Sequence, residues 1–184
     1  MPAQPIHTDR LILLPFTLEI TEMLMAGDTS IIPKLGLQLT PYWPDQEAID
    51  TFPKIIRNLE LVPEPSGFES YMVVHRQSMT VIGDAGFKGL PNENGEVDLG
   101  YAIIVQAQKN GFGLEAAKGL ANWAFRQPDV KAITARCLLN NTPSARVLEK
   151  LGMQEVSRNE EIIRWKLLRP QLQPTIGDLT EKPA

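Results

Sequence analysis

Apolar positions in this chain switch between two spacings, and each switch marks an element. Leu11, Ile12, Leu13 and Leu14 form a short β-prone run that Pro15 ends, after which Thr17 can cap a helix carrying Ile20, Met23 and Leu24 on one face. A second helix is predicted from Asp45, with Ile49, Phe52, Ile56 and Leu59 three and four residues apart; Pro53 should kink or divide it, and Pro63 and Pro65 should end it. The spacing then changes to that of strands at residues 71–75, 80–87 and 96–105. The short connections Arg76-Gln77-Ser78 and Pro91-Asn92-Glu93-Asn94-Gly95 imply an antiparallel meander.

After Gly111 and Gly113 the helical spacing returns, with Leu114, Ala117, Ala121, Ala124 and Phe125 on the inner face and a stop at Gln127-Pro128. A strand follows at residues 132–139. Thr142-Pro143 starts a short helix that buries Val147, Leu148 and Leu151, and Gly152 supplies the left-handed residue that ends it. Residues 153–156 and 162–168 predict a closing hairpin, and the polar, Pro-bearing tail, residues 169–184, is expected to be unstructured or loosely docked. The order is β-α-α-β-β-β-α-β-α-β-β, an α+β chain that is antiparallel before the glycines and crosses over by a helix after them.

A length of 184 residues supports one domain with a substantial core. The net charge of -4 offers no general attraction to nucleic acid or anionic membranes, so an anionic ligand needs a local site. The N-terminal residues lack a basic segment followed by an apolar one, and no run approaches a membrane span; a cytoplasmic protein is expected. Cys137 is the single cysteine, which rules out an internal disulfide, and with His7 and His75 it makes no zinc spacing, so no metal site is expected. Cys137 and His75 are both assigned to structure.

A local site is present at Gln108-Lys109-Asn110-Gly111-Phe112-Gly113. A strand running through Gly-x-Gly into a helix aims free backbone N–H groups at one spot, where the helix dipole adds positive character. A P-loop would need Gly-Lys-Ser/Thr, whereas Leu114-Glu115 follow here. The dinucleotide pattern is matched by Gly111, Gly113 and Ala116, but it belongs to repeated βαβ units that this order lacks. A plain packing turn would satisfy the motif alone. Between Lys109 and Lys150, however, seven basic residues face three acidic ones, placing positive charge where an anion would sit.

These residues resemble the GCN5-related N-acetyltransferase (GNAT) superfamily. Gln108, Gly111 and Gly113 are similar to its pyrophosphate signature. The run Asn141-Thr142-Pro143-Ser144-Ala145-Arg146-Val147-Leu148-Glu149-Lys150-Leu151-Gly152-Met153 resembles a second family block, and Thr8-Asp9-Arg10-Leu11 and Asp98-Leu99-Gly100-Tyr101 look like the branch of ribosomal-protein N-terminal acetyltransferases. The resemblance covers roughly residues 8–168. It implies a mixed, mainly antiparallel twisted sheet of about six or seven strands with splayed central strands, flanked by about four helices. It further implies acetyl-coenzyme A as co-substrate. The pantetheine arm would run along Ile103, Ile104 and Val105, and the pyrophosphate would rest on the amides of Gln108, Lys109, Asn110, Gly111, Phe112 and Gly113, with Asn141, Ser144 and Arg146 nearby.

Acetyl transfer needs a neutral amine, oxyanion stabilisation and a proton for the thiolate. Asp98, at the family's acidic position, is the first candidate base; Glu96, at the same strand parity, and Glu69 are alternatives. Many relatives place a proton-donating tyrosine where this chain has Leu148; Ser144 resembles the serine that the ribosomal-protein branch presents near the sulfur, and that resemblance implies the acid role for it. Tyr42 and Trp43, with Glu69, are expected to wall an acceptor pocket. A small-molecule or peptide amine is the expected partner, in a monomer or homodimer. The missing tyrosine leaves open a non-catalytic acyl-coenzyme A sensor.

Overall fold

The computed structural model describes residues 3–61 and 65–170. Its elements are β1 (Ile6–His7), β2 (Leu11–Pro15), α1 (Leu18–Met25), α2 (Ile31–Lys34), α3 (Gln46–Leu61), β3 (Ser70–His75), β4 (Thr80–Phe87) and β5 (Glu96–Ile103), then a 3-10 turn (Val105–Ala107), α4 (Phe112–Ala124), β6 (Ala132–Leu138), α5 (Thr142–Leu151), β7 (Gln154–Arg158) and β8 (Ile162–Leu168). One sheet of eight strands has the order β1-β2-β3-β4-β5-β6-β8-β7. All neighbours are antiparallel except β5 and β6, which the α4 crossover makes parallel. The expected meander and crossover are both present, within an α+β fold.

Helix ends follow local chemistry. Thr17 caps α1 by accepting from the Ile20 N–H at 3.2 Å, and Asn141 caps α5 by accepting from the Ser144 N–H at 3.1 Å. Gly152 ends α5 in the left-handed conformation, with φ of 92°.

α4 packs on one face of the sheet. A Cβ built on Gly113 would lie 3.2 Å from the Tyr101 ring, and one on Gly119 would meet Thr8, Leu13 and Ile6. Phe16, Trp43 and Phe52 form an edge-to-face cluster, with centroids 6.0 and 6.2 Å apart, that ties α3 to the end of β2. Cys137 is buried and accepts a hydrogen bond from Trp165 Nε1 at 3.3 Å.

Several expectations need correction. The sheet gains an eighth strand, because Ile6–His7 pairs with Ile12 and Leu13. A short helix at Ile31–Lys34 occupies part of what was expected to be loop. Pro53 does not divide α3. That helix is also rotated from the expected face: Ala48, Phe52 and Ile55 are buried, while Ile49 is exposed. β5 stops at Ile103, so Val105 lies in the 3-10 turn and is 76% exposed. Of the tail, Arg169 donates its N–H to Lys131 O at 2.9 Å. Residues 171–184 lie outside the described residues.

Candidate active site

β5 and β6 pair only from Glu96↔Ala132 to Leu99↔Ala135. Past that point β5 stays bonded to β4, from Gly100↔Gly86 to Ile103↔Gly83, while β6 continues with β8 alone. The strands therefore part in mid-sheet, and the C-terminal half of β5 becomes one wall of an opening. At its end the Ile104 N–H donates to Ile82 O at 3.0 Å, and the Ile103 carbonyl accepts from Gln108 Nε2 at 2.8 Å. The Val105 N–H has no acceptor among the described residues.

The following turn is built from its own side chains. Asn110 Nδ2 donates to the carbonyls of Ala107 and Gln108 at 3.2 and 2.9 Å. Lys109 and Gly111 take left-handed φ values of 62° and 80°. The first helical bond is Glu115 N–H to Gly111 O at 3.0 Å, which leaves the N–H groups of Phe112, Gly113 and Leu114 without partners among the described residues. The spacing pointed to this turn as a place where such free N–H groups could receive an anion. Gln108 and Asn110 hold the turn rather than project from it. Gly113 serves the packing of α4 against Tyr101 as well as the turn, so a side chain there would disturb both.

Arg10 reaches this turn from the start of β2. Its Nη1 donates to Asn110 O at 3.0 Å, its Nε pairs with Glu115 at 2.7 Å, and its guanidinium stacks 4.5 Å from the Phe112 ring centroid. The His75 ring also packs against Phe112, at an interplanar angle of 62° with centroids 5.3 Å apart. Burial by itself would raise the Glu115 carboxyl. Hydrogen bonds from Thr8 and from the Arg10 N–H and guanidinium outweigh it and hold the carboxyl below its usual value. Sequence spacing gave Arg10 no assignment.

Tyr101 and Ser144 meet across the start of the opening. Tyr101 Oη lies 3.2 Å from Ser144 Oγ, and burial raises the phenol above its usual value, partly offset by that hydrogen bond. Asn141 is committed to capping α5, and Arg146 is exposed without an ion pair among the described residues. Tyr101 belonged to the Asp98-Leu99-Gly100-Tyr101 block but was not singled out.

The carboxylates divide differently from expectation. Asp98 is engaged by Lys88 Nζ at 2.8 Å and Arg136 at 3.7 Å. Glu96 pairs with Lys166 at 2.5 Å and accepts from Asn92; those bonds, first Lys166 and then Asn92, hold it below its usual value. Glu69 is buried, accepting from the Ser66 and Gly67 N–H groups at 2.5 and 2.6 Å and from Ser66 Oγ at 2.9 Å, so its carboxylate is used up in building the turn before β3. Tyr42 is 51% exposed, whereas Trp43 is buried beside Phe52 and its Nε1 has no partner among the described residues. Asp84, in mid-β4, accepts no hydrogen bond from any described residue. Burial first, then the charges of Glu47 and Asp45, push its carboxyl up to about 7.

Comparison with known proteins places this geometry. The acetyltransferase (GNAT) domain profile matches residues 10–154. The uncharacterized N-acetyltransferase YjdG of Bacillus subtilis is 31% identical over 160 residues, which cover 87% of this chain and 95% of YjdG. The chain belongs to the GNAT family. Like its relatives, this GNAT protein is an N-acetyltransferase. The ribosomal-protein-S5-alanine acetyltransferase from Vibrio fischeri shares the fold, with a TM-score of 0.64 at 13% identity over 93% of this chain and 100% of that one. RimL, a ribosomal L7/L12 alpha-N-protein acetyltransferase solved with coenzyme A, gives a TM-score of 0.63 at 16% identity over 90% and 98% of the two chains. Among the described residues of this GNAT chain, no helix is long and apolar enough to cross a membrane.

Proposed function

We propose that this GNAT chain transfers the acetyl group of acetyl-coenzyme A to a primary amine. The observation that carries the reading is the parting of β5 from β6 directly before a turn whose Phe112, Gly113 and Leu114 N–H groups lack acceptors. An extended polar arm fits the opening, and a pyrophosphate fits those amides with Arg10 beside them. When bound, acetyl-coenzyme A supplies a thioester activated for attack by nitrogen.

The chain's own contribution is mostly placement, which lowers the barrier by fixing both reactants in one opening. Tyr101 and Ser144 form the hydroxyl pair near the α5 start, suited to returning a proton to the departing sulfur. Asp98 is a weaker candidate for the base than its position implied, because Lys88 and Arg136 hold it in ion pairs through Oδ2.

The test is calorimetric binding of acetyl-coenzyme A followed by thiol release with a panel of primary amines. Binding with amine-dependent release is expected, reduced tenfold or more, on the order of 1.4 kcal/mol, in Tyr101→Phe combined with Ser144→Ala. Absence of binding removes the reading. Binding without release on any amine leaves only the sensor.

A further inference from the structure

The face of the sheet opposite α4 carries a carboxyl, that of Asp84, to which no described residue donates a hydrogen bond. Tyr101 and Ile103 point towards α4, so by strand alternation Gly100 and Ala102 point the other way. The β4–β5 register sets Asp84 opposite Ala102, and cross-strand neighbours share a face with Cβ atoms about 5 Å apart. Asp84 thus stands beside the part of β5 that lines the opening, on the side where α3 begins. On β5 its strand neighbours, Ala102 and Gly100, are small, and the buried Met72 lies opposite it on β3.

The charged groups that act on Asp84 are Glu47 and Asp45, at the start of α3, and both are negative. The cations on the same face, Lys88 and Arg136, are turned to Asp98. Asp84 is half-buried, and a partly accessible carboxyl with two like charges nearby and no donor among the described residues calls for a counter-charge. A cation that is not part of the chain provides one. With its titration raised to about 7, the carboxyl is charged above that pH and can take a proton, which is the property of a base poised for work near neutral pH.

We propose that Asp84 is the general base, a catalytic residue that receives the proton of the acceptor ammonium on the α3 face of the opening. The inference rests on the acetyl-transfer reading above. The proton steps balance. Asp84 takes one proton from the ammonium, leaving a neutral amine. The nitrogen forms its bond to the acetyl carbon as the carbon–sulfur bond breaks, and the electron pair stays on sulfur. The second nitrogen proton reaches the sulfur through Tyr101 and Ser144, and Asp84 releases its proton to water.

The full-length wild type, Asp84→Asn and Asp84→Glu are compared with acetyl-coenzyme A and three acceptors: putrescine, benzylamine and an alanine-initiated peptide. On whichever amine the wild type uses, Asp84→Asn should lower kcat/KM about 100-fold while the Kd for acetyl-coenzyme A stays within about twofold. The wild-type profile should bend near pH 7, the bend should vanish in Asp84→Asn, and Asp84→Glu should restore part of the rate. With coenzyme A bound and no turnover, carbon NMR should show the Asp84 titration midpoint falling when that amine is added. A loss under threefold in Asp84→Asn, a retained bend, or an unmoved midpoint overturns the role of Asp84 alone. Failure of the wild type to acetylate any of the three overturns it together with the reading it rests on.

Discussion

Asp84→Asn keeps the side-chain shape and removes the charge, so its effect on stability measures the environment of the carboxyl without any ligand. Burial, followed by the charges of Glu47 and Asp45, moves the carboxyl from 3.8 to about 7. Between those values the folded chain holds a proton that the unfolded chain has released. Stability therefore falls with rising pH by about 1.4 kcal/mol per unit across that window. The favourable contribution is fully present below 3.8 and lost once the pH passes about 7. The accumulated loss is at most about 4 kcal/mol, smaller to the degree that water reaches the carboxyl edge. Asparagine has no such slope. In urea denaturation at matched pH, the stability of the variant minus that of the wild type should be near zero at about pH 4, climb through pH 5 and 6, and level off above pH 7.5. Groups common to both chains cancel in that difference. A difference that stays flat within about 0.5 kcal/mol from pH 5 to 8 refutes the claim of a desolvated, unpartnered carboxyl.

Glu69→Ala should cost about 3–5 kcal/mol, because two backbone N–H groups and the Ser66 hydroxyl lose a charged acceptor in a buried turn; thermal denaturation should fall by roughly 10 °C, and a loss below about 1 kcal/mol would return Glu69 to the list of pocket residues. Arg10→Ala should change stability by less than about 1 kcal/mol, since the Arg10 side chain is 47% exposed, yet raise the Kd for acetyl-coenzyme A about tenfold. Glu115 adds a pH signature to that variant. Its depressed carboxyl contributes stability above 4.5 that is lost as the pH falls through the lowered value, and this acid limb should become shallower without Arg10; an unchanged Kd in calorimetry would limit Arg10 to a structural role.

The meander and the crossover helix were legible because each is a local pattern: alternation with short polar connections, then apolar positions at helical spacing closed by Gln127-Pro128. The errors have local causes too. Ile6–His7 is too short to show a period, and Pro33 hides the four-residue helix α2. In α3 the chain offers Ile49 and Ile56 as readily as Ala48 and Ile55, and only the Phe16–Trp43–Phe52 cluster decides which pair turns inward. The turn at Gly111 announced itself because its chemistry is backbone chemistry, which glycine makes visible. Arg10 and Asp84 did not. Arg10 meets Glu115 across 105 positions of sequence, and Asp84 sits in a run that reads as ordinary strand alternation until α3 brings Asp45 and Glu47 near it. Asp98 misled for the complementary reason: its position in a block was visible, whereas Lys88 and Arg136 closing on it were not.

Charge is therefore sorted by the two faces of one sheet. On the α4 side, unpaired amides and Arg10 favour an anion; on the α3 side, Asp84, Asp45 and Glu47 favour a cation. The parting of β5 and β6 is where the two sides communicate. Such an arrangement does more than collect two oppositely charged substrates, because acetylation turns the ammonium into a neutral amide. The interaction that draws the acceptor in is thus erased by the reaction itself, and the product leaves a face whose carboxyls no longer have a charge to hold. The uncharged product, the acetylated amine, should accordingly bind more weakly than the amine at low salt, and the gap should narrow as salt screens the acidic face. The same gap should shrink in Asp84→Asn, which links product release to the residue proposed as base.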